Sequence, residues 1–371
     1  MAPQQKVLEI GNYPPPMCGW AMQTFLLVDE MRRRGHKCEV LKINEGRQQK
    51  GSEYVDVQNG IDYVLKVLRF ALRGYRLHAH VNGSSKKGYL LALFAVLVGR
   101  LFSRPAALSF HGGIPQPYFP NPNSKAVRLA FHVLFWLAGS IVCDSDEIKE
   151  AISSYGMDKR KVEGIPCFSA QCLAFRHTTL SPEIESFLVS RWPVFFSYLS
   201  FRSEYRLEVL RHAISIFCER HPGAGFIWLG FPAKEMPAAQ AYLRSWDGDE
   251  AARVLLLTNL THDDFLTLLS RCYAMVRTPA CDGVSASVLE SLALGIPVLA
   301  SENGRRPPGV ITYREDDPFD LASNLEHLCA NYADVKEQTC LETRDDNLGR
   351  TVDWLLGERS SGMRTEAMHA D

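Results

Sequence analysis

Residues 273–301, YAMVRTPACDGVSASVLESLALGIPVLAS, constrain the fold more than any other stretch of this chain. An apolar strand (273–276) enters a loop at Pro279, and small residues then open a helix over 285–294. Gly295 and Pro297 stop that helix, and a second strand follows over 298–300. Strand, loop, helix, glycine stop and strand make a parallel unit, because parallel neighbours need a crossover between them. The helix start suits an anion: its first N–H groups lack intrahelical partners, its side chains are small and the macrodipole there is positive. Asp282 precedes that start, and Glu290 lies on the second turn. Carboxylates repel phosphate and accept hydrogen bonds from hydroxyls. A phosphate seat with hydroxyl acceptors on both sides describes a sugar-nucleotide site.

The same alternation runs through the rest of the chain. Strand 7–10 feeds a loop that ends in Gly19 and Trp20, and a helix (21–34) and strand (38–43) follow. The loop lacks the Gly-x-Gly-x-x-Gly fingerprint. Gly19 still permits close backbone approach to a ligand phosphate or sugar, and an ordinary turn explains the loop equally well. Strand 106–110 ends in His111-Gly112-Gly113, at a carboxyl end where ligands collect in parallel sheets. His78 and His80, on strand 77–81, read as structural. Strand 140–143 runs into Asp144-Ser145-Asp146, a pattern that can hold a divalent ion on a diphosphate. The better reading is an N-cap and first-turn acids for the helix behind it. The polar stretch 173–192 reads as an irregular linker, and a second βα series begins at 194. The expected architecture is α/β, with two doubly wound Rossmann-like domains facing a central cleft. Residues 1–172 form the acceptor-side domain, 193–335 the donor domain and 336–371 a helical tail.

Charge narrows the function. Lys and Arg number 41 against 42 Asp and Glu, which argues against a general nucleic-acid binder. The N-terminal residues lack the basic-then-apolar signature of a secretory leader. Ten cysteines without a C-x-x-C pair read as small buried hydrophobes in a reducing cytosol. Cys167 and Cys172 lie close together, but no His or Cys nearby in sequence completes a zinc pattern. The apolar run 89–102 is too short to span a bilayer. Lys86-Lys87 beside it, and Lys125 and Arg128 in helix 124–138, predict peripheral contact with a membrane and a lipid-linked acceptor. Ordinary buried helices are the equally economical alternative. The expected location is cytoplasmic, peripheral on the inner face of the membrane.

The second half resembles the donor domain of GT-B glycosyltransferases of the family 4 type, the retaining group. The resemblance rests on a Glu-x7-Glu motif, here Asp282 to Glu290. It extends to RRRGHKCEVL, LSFHGG, SDEIKEAISSYGMDKRKVEGIP and VLLLTNLTHDDFLTLLSRC. It implies that Glu290 accepts hydrogen bonds from the donor ribose, and that Asp282 with Gly283, Val284 and Ser285 holds the donor sugar. Amides near Ser285 and Ala286 would seat the diphosphate, His111 would contact the transferred sugar, and Gly19 with Trp20 would approach from the first domain. The base would lie against Thr258 to Leu260. Two departures stand out. The first motif acid is Asp, one methylene shorter. In SYLSFRSEYRLEVL, Leu199 and Glu204 or Tyr205 replace the Arg and Lys that neutralise the diphosphate in relatives. Arg202, Arg206, Arg277 and the Arg305-Arg306 pair are the candidate substitutes.

The implied reaction moves a sugar, with retention, from a nucleoside-diphosphate sugar to a hydroxyl of a glycan or lipid-linked acceptor. Surface polysaccharide or glycoconjugate biosynthesis is the expected setting, and no metal or other cofactor is expected. The alternatives are a sugar-nucleotide epimerase on the same architecture and a non-catalytic sugar-nucleotide-binding subunit.

Overall fold

A computed structural model describes residues 4–15, 19–121, 123–231, 235–280, 285–339 and 345–357. The chain forms two compact units. The first runs β1 (Lys6–Gly11), α1 (Gly19–Arg33), β2 (Lys37–Lys42), α2 (Gly60–Leu72), β3 (Arg76–Val81) and α3 (Lys86–Leu101). It continues with β4 (Ala107–Phe110), α4 (Lys125–Leu137), β5 (Ser140–Cys143), α5 (Asp146–Ser153) and β6 (Val162–Gly164). All six strands are parallel, in the order β2-β1-β3-β4-β5-β6. Period-two alternation divides β1 between two cores. Leu8 and Ile10 pack with side chains of α2 to α5, while Val7 packs with Leu27, Val28 and Met31 of α1. Helices therefore cover both faces, and the strand order reverses between β1 and β3. That reversal opens a crevice at the carboxyl ends of those two strands.

The second unit repeats the plan from α6 (Pro182–Ser190) through β7 (Val194–Tyr198), α7 (Leu207–Arg220), β8 (Gly225–Leu229), α8 (Met236–Arg244) and α9 (Gly248–Ala251). Then come β9 (Val254–Leu256), α10 (His262–Arg271), β10 (Ala274–Arg277), α11 (Ala286–Ala293), β11 (Val298–Ser301), β12 (Val310–Tyr313), α12 (Pro318–Ala330) and α13 (Tyr332–Gln338). The order is β12-β11-β10-β7-β8-β9, so its reversal lies between β7 and β10.

Two sequence expectations change. The stretch 173–192 is not irregular throughout. Ser181 caps α6 by accepting from the Ile184 amide, Pro182 occupies the first turn, and Leu180 and Ile184 are buried in the core of the second unit. A nine-residue helix with only a few apolar positions gives a weak periodic signal. The last helix, α14 (Asn347–Leu356), is no free tail. It belongs to the first unit and buries Val352, Leu355 and Leu356 against Val7 and Val28. Trp354 Nε1 donates to Ile141 O at 3.1 Å, and Arg34 meets Asp353 at 2.5 Å. Leu355→Ala is expected to destabilise the first unit by about 2–5 kcal/mol through the lost transfer energy and the cavity left behind. Urea unfolding followed by tryptophan fluorescence checks this.

Candidate functional site

In the second unit, Arg277 lies at the reversal between β7 and β10. Arg277 ends β10, is buried, and donates from Nη1 to Tyr198 O at the end of β7. Its guanidinium lies 5.4 Å from the Tyr205 ring. It thus reaches the loop where the resemblance leaves the expected cations missing. Thr278 Oγ1 donates to Tyr205 O, tying the same two loops together. Arg306 adds a second cation, donating to Ser301 O at 2.9 Å and Pro279 O at 2.7 Å. Arg206 points to other partners, Glu315 at 3.0 Å and Asp316 at 2.6 Å, and Arg202 is exposed beside Glu204. Arg277 thus reaches the loop after β7, and Arg306 is tied through Pro279 to the loop that leads into α11.

Ser285 is the N-cap of α11, but its side chain makes no capping bond; its Oγ lies 3.0 Å from Ser287 Oγ instead. Among the described residues, the N-cap side chain thus gives the first-turn amides no acceptor of the kind that α2, α3 and α10 each have. Ala286 opens the helix, and Glu290, one turn further on, is buried. Burial alone pushes the Glu290 carboxyl up to about 8. A buried acid with that shift waits for hydrogen-bond donors that would favour its ionised form. Thr258 and Leu260 follow the edge strand β9, half-buried, around Asn259 with φ +55°. Asp282, Gly283 and Val284 lie outside the described residues.

In the first unit the polar side chains form a row along the carboxyl ends of five neighbouring strands. Glu9 (β1) meets His80 (β3), His80 meets His111 (after β4), His111 meets Asp144 (after β5), and Asp144 meets Cys167 (beyond β6). His80 Nε2 lies 3.0 Å from Glu9 Oε2, and His80 Nδ1 lies 2.9 Å from His111 Nε2. His111 Nδ1 is 3.3 Å from Asp144 Oδ1, and Cys167 Sγ donates to the same oxygen at 2.6 Å. Gly112 N–H donates to Asp144 Oδ2 at 2.8 Å. His78, in register with Glu9, places Nε2 2.8 Å from Ser109 Oγ and Nδ1 2.6 Å from Glu9 Oε2, the latter without hydrogen-bond alignment. Glu9 is fully buried. Burial would raise its pKa, but His78 and His80 outweigh it and hold the carboxyl down to about 2. Burial pushes His80 down to about 4, so it is neutral near pH 7.

Trp20, on the first turn of α1, caps this row. Its Nε1–H donates to His80 Nδ1 at 3.2 Å, and its ring lies 4.7 Å from that of His111. Gly19 is the exposed first residue of the same helix. Gly11 ends β1, where an added Cβ would stand 3.0 Å from His80 Cδ2, so glycine lets the imidazole lie against the strand. A pocket of about 520 Å³ opens beside Trp20 and His80 and is lined also by Asn12, Arg47, Asn82 and Lys87.

The sequence marked His111, Trp20 and Asp144 separately and did not connect them. It also gave Asp144 a role in capping α5. Ser145 is the cap, accepting from the Ile148 amide, and Asp146 and Glu147 are the first-turn acids. That leaves Asp144 to bind His111, Gly112 and Cys167. Only the offset of each polar residue from the end of its apolar strand could have hinted at this row.

Two units, each a six-stranded parallel sheet with helices on both faces, define the fold of the GT-B glycosyltransferases and UDP-N-acetylglucosamine 2-epimerases. No family model and no curated protein matches the sequence. Among solved structures, HepE of Anabaena in complex with UDP-glucose is similar at 14% identity over 94% of this chain and 100% of that chain, with a TM-score of 0.63. A UDP-N-acetylglucosamine 2-epimerase is similar at 14% identity over 96% of each chain, with a TM-score of 0.65. The sucrose-phosphate synthase of Thermosynechococcus elongatus follows at 13% identity over 95% of each chain, with a TM-score of 0.64. At such identities the likeness establishes the fold.

Proposed function

We propose that this protein is a retaining glycosyltransferase of the family 4 type. It would move a sugar from a nucleoside-diphosphate donor to a hydroxyl of a lipid-linked or glycan acceptor. The observation that carries the donor assignment is Glu290, a buried acid one turn into α11, whose N-cap side chain makes no capping bond. Solved neighbours bind UDP and UDP-glucose, which supports a uridine-nucleotide donor. Ribose hydroxyls donate to Glu290, and the first-turn amides of α11 seat the diphosphate. Arg277 and Arg306 offset the charge that builds on the leaving group. Asp282 and Gly283 hold the transferred sugar. The acceptor attacks from the front face, and the departing phosphate oxygen takes the acceptor proton.

The acceptor reading rests on the first unit. The Arg47 and Lys87 pocket shares Asn82, Ser85 and Leu90 with a second, apolar cavity of about 370 Å³ between α3 and α4, which Tyr89 and Phe131 line. Two cations leading into an apolar slot suit a phosphate headgroup with a hydrocarbon chain. Helix α2 packs on α3, and α3 on α4. Their outer faces expose large apolar side chains, among them Leu65, Leu72, Leu97, Leu101, Leu129 and Trp136. Neither α3 nor α4 carries an acidic residue, whereas Lys86, Lys87, Arg100, Lys125 and Arg128 lie on them. No helix among the described residues is long and apolar enough to cross a membrane, and this face suits docking on an anionic bilayer.

Epimerisation is the second reading, favoured by the acid and base groups in the row from Glu9 to Asp144. Incubating the protein with UDP-glucose and with UDP-N-acetylglucosamine, with and without lipid-phosphate acceptors, separates the two. Transfer gives acceptor-dependent release of UDP, and anomeric proton NMR of the product shows retention. A new sugar nucleotide formed without any acceptor would replace transfer by epimerisation.

A further inference from the structure

Two groups of side chains in the first unit bring three metal-ligating atoms within 4.8 Å of one another: Glu9, His78 and His80, and His111, Asp144 and Cys167. Proton placement along the row distinguishes them. Indole is only a donor, so the Trp20 contact makes His80 Nδ1 an acceptor. The His80 proton then sits on Nε2 and points at Glu9 Oε2. An N–H aimed at the carboxylate leaves no lone pair there, so the Glu9 group is a hydrogen-bonded cluster and not a metal site. The same argument carries outward. His80 Nδ1 accepts, so His111 Nε2 must donate to it. With its proton on Nε2, His111 turns Nδ1 toward Asp144 Oδ1, 3.3 Å away. Cys167 Sγ lies against the same oxygen, so an imidazole nitrogen, a carboxylate oxygen and a thiol sulfur converge on one point.

We propose that His111 Nδ1, Asp144 Oδ1 and Cys167 Sγ bind one divalent transition-metal ion of the zinc type, with the fourth position open. An imidazole, a carboxylate and a thiolate form a donor set that zinc accepts. Zinc–ligand bonds of about 2.0–2.3 Å at tetrahedral angles put donor atoms roughly 3.3–3.6 Å apart. The His111–Asp144 pair already stands at 3.3 Å. Cys167 is nearer to the carboxylate, at 2.6 Å, with its own proton between them. Binding the metal releases that proton to solvent, and the thiolate becomes the ligand. The outer contacts are those of a metal centre: His80 fixes the far nitrogen of His111, and Gly112 N–H holds the far oxygen of Asp144. The three ligands follow the adjacent strands β4, β5 and β6, and all are partly exposed, so an ion can enter and keep a water. The sequence hides the site because its ligands are 33 and 23 residues apart (144 − 111 and 167 − 144). The inference does not depend on which sugar chemistry the protein performs.

The test is a titration of the full-length, chelator-stripped protein with Co2+, then Zn2+. One equivalent of Co2+ is expected to give tetrahedral d–d bands and a thiolate-to-cobalt charge-transfer band, and Zn2+ should displace it. Cys167→Ser should abolish the charge-transfer band, while Cys172→Ser should retain it. His111→Ala and Asp144→Asn should each weaken Co2+ binding at least tenfold. Circular dichroism without metal checks that each variant is folded. If the histidine variant does not fold, the near-isosteric Cys167→Ser decides alone. No charge-transfer band in the parent protein, or a band that survives Cys167→Ser, overturns the site.

Discussion

Glu290→Ala is expected to lower affinity for UDP-glucose about a hundredfold or more and to abolish transfer while the fold persists. Two ribose hydroxyls bonded to an ionised carboxylate contribute about 1.5–3 kcal/mol each, and every 1.4 kcal/mol is about tenfold in affinity. The empty protein keeps this acid neutral, because burial lifts it from 4.5 to about 8. Bound hydroxyls favour the ionised form, so donor binding near pH 7 should expel a proton. Calorimetry in two buffers of different ionisation enthalpy detects it. The cost of burial has a definite sign. A folded-state pKa above the unfolded value gives stability that is complete below about pH 4.5 and is lost as pH rises through about 8. Glu290→Gln cannot ionise. It should stabilise the ligand-free protein above pH 8 by on the order of a few kcal/mol, read as a higher melting temperature, and change stability little at pH 4. An affinity for UDP-glucose equal to that of the parent would remove Glu290 from the site.

Reversing four charges on α3 and α4 (Lys86, Lys87, Lys125 and Arg128 to Glu) is expected to abolish sedimentation with phosphatidylserine vesicles. Each basic residue near an anionic surface contributes about 1 kcal/mol, so removing four lowers partitioning about a thousandfold, and reversal lowers it further. Leu101→Ser with Trp136→Ser should weaken binding on neutral and anionic vesicles alike, because it removes exposed apolar area. Vesicle binding of the parent that is absent at low salt, or unchanged by the reversal, would defeat the docking surface.

Much of the architecture was legible because each element carries its own signal. Strands such as β5 and β8 are short apolar runs, and helices begin where Ser124, Ser145 or Thr261 can accept from a first-turn amide. Helix α2 went unread although Asn59 caps it and Tyr63, Val67 and Ala71 mark its buried face; other missed pieces draw their stability from elsewhere. Strand β6 has three residues and exists because β5 offers it an edge. Helix α6 is held by a cap and two buried side chains; the helix α14 was legible, but its packing was not, because it rests on a core built from residues more than 300 positions earlier (352 − 28 = 324 for Val352 and Val28).

The candidate site divides along the same line. The donor stretch could be read from sequence because strand, helix start and Glu290 are contiguous, and local geometry follows from local residues. The substitute cation could not. Five arginines compete on paper, and only tertiary structure ties Arg206 to Glu315 and Asp316 and brings Arg277 to Tyr198 and Tyr205. The row from Glu9 to Cys167 belongs wholly to tertiary structure. Sequence determined a parallel α/β chain with a strand, a loop and a helix start leading to Glu290, because periodicity and turn chemistry act over a few residues. Strand order decided the rest, because pairing β1 with β3, β3 with β4, β4 with β5 and β5 with β6 brings together side chains that the sequence separates by up to 158 positions (167 − 9).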